Sequence, residues 1–160
     1  MHKFNLVAGA FVAFALTASP ALAVDNSGTV SFNGILLDSC IVIPSAGVLA
    51  VSADGLSMGT EETGGAPAAL SVTAIGTLPQ VSFMAPALTS SPAGYTGSPT
   101  QSIKFSATGA SGQASYTSNA STSQLTALTA AYVINGKVSD SSGLHGGDYT
   151  MATVATCTVP

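Results

Sequence analysis

The sequence predicts an all-β fold, and three of its features support that prediction. About eight short segments alternate apolar with small polar residues, as strands with one buried face do. Glycines and prolines separate these segments at close intervals, and no convincing long helix interrupts them. Charged residues make up only 6% of the chain, against a usual share of about 25%, so small polar residues must form most of the polar surface. An antiparallel β-sandwich is therefore expected, and a small closed barrel is the alternative.

The first 23 residues have the pattern of a secretory signal peptide. Lys3 supplies the positive charge, residues 6–16 form an apolar run, and Ala21-Leu22-Ala23 matches a cleavage site. The apolar run is too short for a membrane-spanning helix, so cleavage is favoured over anchoring. The sequence thus predicts an exported protein whose mature chain, residues 24–160, forms a single domain.

The mature chain is acidic and almost free of cations. Lys104 and Lys137 are its only basic residues apart from histidine, so its net charge is 2 − 7 = −5. Two cations cannot neutralise a row of phosphates or hold an anionic lipid surface. Nucleic acid and anionic membranes are therefore not expected as partners, and no other stretch is long enough to span a membrane.

The sequence contains no recognisable catalytic or metal-binding pattern. His145 is the only histidine after the signal peptide, and its surroundings, Leu144-His145-Gly146-Gly147-Asp148, are typical of a solvated loop beside a tight turn. A single histidine without a nucleophile elbow does not make a catalytic triad, and it gives no zinc-ligand spacing with two distant cysteines. We therefore expect neither enzymatic activity nor a cofactor.

The remaining strands follow from alternation and turn residues. Strands are predicted at residues 48–51, 56–59, 69–75, 81–84, 103–107, 114–117 and 149–159. Loops are predicted at residues 60–67 and 88–100, while residues 118–130 could form a short helix. In the last strand, Met151, Thr153, Ala155, Cys157 and Val159 share one face.

Asn135-Gly136 is the strongest local turn signal in the chain. This dipeptide lies between two β-forming segments, residues 132–134 and 137–139. Asn-Gly in that setting is typical of a type I′ turn, because both of its central positions need a positive φ. A tight β-hairpin centred on Asn135 and Gly136 is therefore predicted.

The start of the mature chain alternates in the same way. Val30, Phe32, Gly34 and Leu36 lie on one face of a predicted strand, opposite mainly polar residues. The segment becomes apolar on both faces towards Cys40, so we expect the strand to become fully buried there and to end at Pro44.

This segment resembles the N-terminus of chaperone–usher pilus subunits. The shared pattern is a Gly-x-Val-x-Phe-Asn-Gly run, two or three apolar residues, an Asp and a nearby Cys, present here from Gly28 to Cys40. The resemblance implies an immunoglobulin-like sandwich that lacks its last strand and is completed by the N-terminal extension of the next subunit. It further implies that Val30, Phe32, Gly34 and Leu36 form the donor strand. The implied partners are other copies or related subunits, a periplasmic chaperone and an outer-membrane usher. The protein would pass through the periplasm to a fimbria on the cell surface and serve in adhesion.

Two features depart from that family. Its subunits usually bond the first-strand cysteine to a second cysteine some tens of residues later, whereas this chain has only Cys40 and Cys157. Its subunits also usually carry a tyrosine near the C-terminus, whereas this chain ends Cys157-Thr158-Val159-Pro160.

The two cysteines are predicted to form a disulfide, because the count is even and the compartment is oxidising. A bond requires Cα atoms within about 7 Å, so it would place the first strand beside the last one. In that case an acceptor groove between these strands would be pinched at one end and open at the other. A self-contained secreted or surface-attached binding domain is the alternative function, with a ligand at the loops around Tyr95 or Leu144-His145.

Overall fold

The computed structural model describes residues 33–160, and these residues contain twelve β-strands and no helix. Residues Ile35–Pro160 form one compact unit. A helix with the length and apolarity needed to cross a membrane is absent from residues 33–160. The strands are β1 (Ser39–Ser45), β2 (Ala50–Val51), β3 (Ser57–Gly59), β4 (Ala68–Ile75), β5 (Gln80–Phe83), β6 (Ala87–Ser90), β7 (Thr100–Thr108), β8 (Gln113–Thr117), β9 (Ser121–Gln124), β10 (Thr129–Ser139), β11 (Thr150–Ala152) and β12 (Ala155–Thr158).

The larger sheet is organised around β10, its longest strand. One edge of β10 pairs with β4 and, further along, with β3, while the other edge pairs with β7. Strand β1 extends the sheet beyond β4, β2 extends it beyond β3, and β8 extends it beyond β7. All of these pairings are antiparallel, as the sequence predicts.

The opposing layer consists of two short sheets that follow one another. Strands β9, β5 and β12 form one, with β5 in the centre, and β6 pairs with β11 in the other. The amide of Met84 donates to the carbonyl of Val154 at 2.9 Å, between the two ladders. The two layers make an antiparallel β-sandwich, which confirms the predicted fold class.

Alternate residues of the main strands meet between the layers. In β4 the buried residues are Leu70, Val72 and Ala74, while the residues between them are exposed. Three rings stand at the centre of this core: Phe83 lies 4.6 Å from Phe105 and 5.6 Å from Tyr132, measured between ring centroids. The hydroxyl of Tyr132 lies 3.0 Å from Ser123 Oγ, which pairs these two buried polar groups.

The predicted hairpin at Asn135-Gly136 is wrong. Both residues lie inside β10, where Asn135 is opposite Lys104 and Gly136 is opposite Ile103. Neither has a positive φ. The long partner β7 pairs with β10 on both sides of this dipeptide, so the non-local ladder overrides the local turn preference.

The expectation of a fully buried first strand is also wrong, because β1 lies at the edge of the larger sheet. Ile41 and Ile43 are 55% and 63% exposed, and only Cys40 and Val42 turn towards the core. The strand continues through Pro44 to Ser45, because an edge strand tolerates a residue that cannot donate a hydrogen bond.

Two other segments differ from expectation. Residues 118–130 form no helix but contain β9, and the predicted loop at 88–100 begins inside β6. The last strand is interrupted between Ala152 and Ala155, although its predicted alternation from Met151 to Val159 holds.

Candidate functional site

An apolar groove lies between the first strand and the last strands of the chain. Strand β1 pairs with β4 alone, and β12 pairs with β5 alone, among the strands of residues 33–160. Each therefore presents one backbone edge without a ladder partner. The groove between them has a volume of about 380 Å³.

The walls of the groove come from alternate residues of these strands. Val42 and Pro44 line it on the β1 side, while Met151, Thr153 and Ala155 line it on the other side. Met151, Thr153 and Ala155 are among the residues that the sequence predicts to lie on one face of the last strand. The edge of the groove formed by Pro44 and the next three residues is exposed to water.

Core residues form the floor of the groove. They are Leu70, Phe83, Ile103 and Ile134, all less than 10% exposed. The groove therefore reaches the interior of the sandwich, and an apolar side chain placed in it would contact the core directly.

Gly136 makes a notch in this floor. A Cβ atom built on Gly136 would overlap the terminal methyl of Met151 and would lie 3.8 Å from Leu49 Cδ2. The glycine that resembled a turn signal thus has a packing role, because its missing side chain lets Met151 cross the strand.

Among residues 33–160, no ionisable side chain lines the groove. Two of its hydroxyl groups already have partners. Thr60 Oγ1 donates to Asn135 Oδ1 at 2.9 Å and accepts from the Gly136 amide at 3.2 Å, and Thr153 Oγ1 donates to the Met84 carbonyl at 2.6 Å. The groove is therefore suited to apolar side chains and to strand pairing along its edges, and not to charged ligands.

Cys40 and Cys157 form the predicted disulfide, with their Cα atoms 6.3 Å apart. The bond joins β1 of one layer to β12 of the other, so the two strands lie side by side without sharing a ladder. On both strands, the groove lining begins two residues from the bonded cysteine, at Val42 and at Ala155.

Two of the predicted donor residues, Val30 and Phe32, lie outside the described residues. Gly34 is exposed, and a Cβ atom built on it would have no heavy atom within 4 Å. Leu36 is 71% exposed, and its neighbours Ile35 and Leu37 are 92% and 77% exposed. Residues 33–38 form no strand in this structure.

Asp38 anchors the chain where β1 begins. Its carboxylate accepts hydrogen bonds from the amide of Thr77 at 3.0 Å and from the hydroxyl of Thr77 at 3.2 Å. These bonds tie the residue before β1 to the turn between β4 and β5. The exposed apolar segment 35–37 therefore ends at a defined point on the sandwich.

The two loops named for the alternative function come together in space. Tyr95 lies with its ring edge-on to His145 and to Tyr149, at centroid distances of 5.4 and 5.5 Å. The hydroxyl of Tyr95 donates to Asp140 Oδ2 at 2.5 Å. Burial and this hydrogen bond raise the pKa of Tyr95 to about 12, and the same bond holds the pKa of Asp140 below its usual value.

Sequence reasoning missed most of the groove-lining residues. Val42 and Pro44 were assigned to a buried strand, and Gly136 to a turn. A glycine inside a β-forming segment is itself a signal of close approach, and it could have marked Gly136. The sequence indicated that β1 and β12 lie side by side through the predicted disulfide, although the two strands share no ladder.

Comparison of the chain with protein-family models, with curated proteins and with solved structures finds no match in any of the three.

Proposed function

We propose that this protein is a structural subunit of a bacterial surface fimbria, assembled by donor-strand exchange and serving in cell adhesion. One observation carries the proposal: an uncharged groove reaches the core between two strands that each have a free backbone edge. A strand added there would gain hydrogen bonds along its backbone and specificity from its alternate side chains. Val30, Phe32, Gly34 and Leu36 of a neighbouring copy supply such an alternating set.

The exposed apolar segment before β1 supports the same proposal. Ile35, Leu36 and Leu37 are consecutive and all more than 70% exposed. A contiguous apolar segment in water is typical of an interaction site. Burial in a neighbouring subunit removes this surface from water, which stabilises the assembled state by roughly 25 cal/mol per Å² of apolar area buried.

The directions of the strands favour an open fibre. Cys40 lies near the start of β1, so residues 35–38 precede this strand at its disulfide end. The groove extends from Val42 towards Leu49, away from the disulfide. Residues 35–38 and the groove therefore lie on opposite sides of the disulfide along β1. Contacts between two different parts of the surface are heterologous, and they produce filaments when they do not close into a ring.

The family resemblance supplies the other partners of this proposal. A subunit with an unfilled groove exposes apolar surface while it crosses the periplasm. A periplasmic chaperone would cover the groove during transit, and an outer-membrane usher would receive the subunit for assembly at the cell surface.

The proposal is tested by gel electrophoresis of protein from intact cells, loaded with and without boiling. We expect a ladder of oligomers that collapses to monomer on heating. Phe32→Asp should abolish the ladder, because it places a charge in the apolar groove. Ser31→Asp is the matched control, since Ser31 lies on the opposite face of the segment, and it should keep the ladder. A monomer alone from the wild type, or equal ladders from both variants, would contradict donor-strand exchange.

A self-contained binding domain is the second candidate, and the cluster of Tyr95, His145 and Tyr149 favours it. His145 is exposed and the two tyrosines are half-buried, so this cluster of rings on adjoining loops reaches the surface, where loops commonly contact ligands. Deletion of residues 24–32 separates the candidates. A fimbrial subunit should still fold with its chaperone but fail to join a neighbour, whereas a self-contained domain should lose stability as a monomer.

A further inference from the structure

The disulfide stands at one end of the groove, between the same two strands that form the groove walls. One face of β1 carries, in order, Cys40, Val42 and Pro44. One face of the opposite wall carries, in order from the disulfide, Cys157, Ala155 and Thr153. Between Val42 and Ala155 the groove is open. Two residues further along each strand, the bonded sulfur atoms of Cys40 and Cys157 fill the space between the strands.

In the part of the chain that the structure describes, residues 33–160, no covalent bond closes the opposite end of the groove. Pro44 to Gly47 are exposed, and the lining continues past the end of β1 to Leu49. A segment lying between β1 and the last strands therefore has free space in one direction along the groove and a covalent bridge in the other.

We propose that the Cys40–Cys157 bond is an end stop that fixes the register in which a donor segment can lie in the groove. This inference rests on the proposed function. From Thr150 to Ala155 the second wall spans at most about 17 Å, five steps of about 3.3 Å, so the groove accepts a segment of about six residues. A slip of one residue would turn Val30, Phe32 and Leu36 away from the floor and point the polar side chains of Ser31 and Asn33 towards it. A slip of two residues towards the bond would meet the sulfur atoms.

The stop acts whichever way the segment runs. Strand β1 runs away from the bond and β12 runs towards it, so a segment between them is parallel to one wall and antiparallel to the other. In either orientation, only one terminus of the segment faces the disulfide. A bound peptide should therefore have one terminus that tolerates a stiff extension and one that does not.

The test uses residues 24–160 with the disulfide intact and a fluorescent peptide of residues 30–36, whose length is close to that of the groove, with binding followed by anisotropy. Three prolines added to one terminus should weaken binding at least tenfold, and at the other terminus by less than twofold, because a polyproline segment is stiff. Three glycines are the matched control. They can bend out of the groove, so they should be tolerated at both termini.

The double variant C40A/C157A removes the stop and should bind all proline-extended peptides within about twofold of the unextended one. Circular dichroism first tests whether the double variant is folded. If it is unfolded, the comparison of the two termini in the wild type by itself decides whether the disulfide acts as an end stop. Equal effects of proline at both termini of the wild-type ligand, or an asymmetry that persists in the folded double variant, would overturn the end stop while leaving donor-strand exchange intact. Failure of the unextended peptide to bind would overturn both.

Discussion

Two consecutive residues can differ sharply in what they contribute to stability, as Phe83, the last residue of β5, and Met84, which follows the strand, illustrate. Phe83 is 1% exposed and contacts two other rings of the core, whereas Met84 is 59% exposed. We expect Phe83→Ala to lower the free energy of unfolding by about 3–5 kcal/mol, because it leaves a cavity in the core. Met84→Ala is the matched control and should change it by less than about 0.5 kcal/mol. Urea denaturation measures both, and similar losses would contradict the assignment of the core face.

The Tyr95–Asp140 hydrogen bond gives a pH-dependent contribution to stability. Asp140 accepts hydrogen bonds from Tyr95 and from the Ser142 amide at 2.8 Å, and these bonds lower its pKa. Because the pKa of Asp140 is lower in the folded state than in the unfolded state, where it is about 3.9, its ionised carboxylate stabilises the folded state. This contribution is complete at pH values above the unfolded-state pKa. This contribution disappears as the pH falls through the lower, folded-state value.

Asp140→Asn should therefore reduce stability at pH 7 and reduce it less at pH 3. Urea denaturation of the variant and the wild type at the two pH values gives this difference directly. Asp148→Asn, in the same loop and exposed, serves as the control. A stability difference between Asp140→Asn and the wild type that is the same at both pH values would show that this carboxylate does not contribute through its ionisation.

At the scale of elements, Gly136 of β10 makes room for a side chain of β11. Its missing side chain makes room for Met151, which crosses the strand at the groove floor. Gly136→Val should lower the free energy of unfolding by up to about 1 kcal/mol, because it must displace the flexible end of the Met151 side chain. Adding Met151→Ala should restore part of that loss, so that the two changes are not additive. Strictly additive losses in urea denaturation would contradict this contact.

The disulfide is the second element-scale feature, because it links the two layers through strands far apart in sequence. The bonded cysteines are 117 residues apart, and closing such a loop stabilises the folded state by about 5 kcal/mol through chain entropy. At roughly 3–4 °C per kcal/mol for a domain of this size, reduction should lower the thermal midpoint by roughly 15–20 °C. Calorimetry with and without a thiol reductant measures the shift. An unchanged midpoint, with free thiols verified by alkylation, would contradict it.

At the scale of the whole molecule, the absence of charge in the groove lining predicts how assembly responds to salt. Residues 24–160, the predicted mature chain, carry a net charge of 2 − 7 = −5, so copies of it repel one another weakly through their surfaces. Salt screens that repulsion and has little effect on apolar contacts in the groove. The extent of oligomerisation of residues 24–160, measured by light scattering, should therefore stay constant or increase slightly between 50 and 500 mM salt. Marked dissociation at high salt would indicate an interface held by charge.

The strands confirmed by the structure are those whose alternation was clear in the sequence. Residues 69–75 and 103–107 were predicted to be strands, and β4 and β7 contain them with the expected buried faces. The alternation of Met151, Thr153 and Ala155 was also correct. Local period-2 patterning is sufficient in these places because each strand buries one face against the same core.

The sequence by itself determined the all-β class, the inward faces of these strands and the pairing of two cysteines, because those follow from local periodicity and from a count. Only the tertiary structure decided that Asn135-Gly136 lies within a continuous strand and that β1 is an exposed edge. Likewise, only the tertiary structure showed an open groove next to the disulfide. The physical reason is the same in each case. Turn preferences and hydrophobicity are local, whereas the pairing partner of a strand, and the edge left without one, depend on residues far away in the chain.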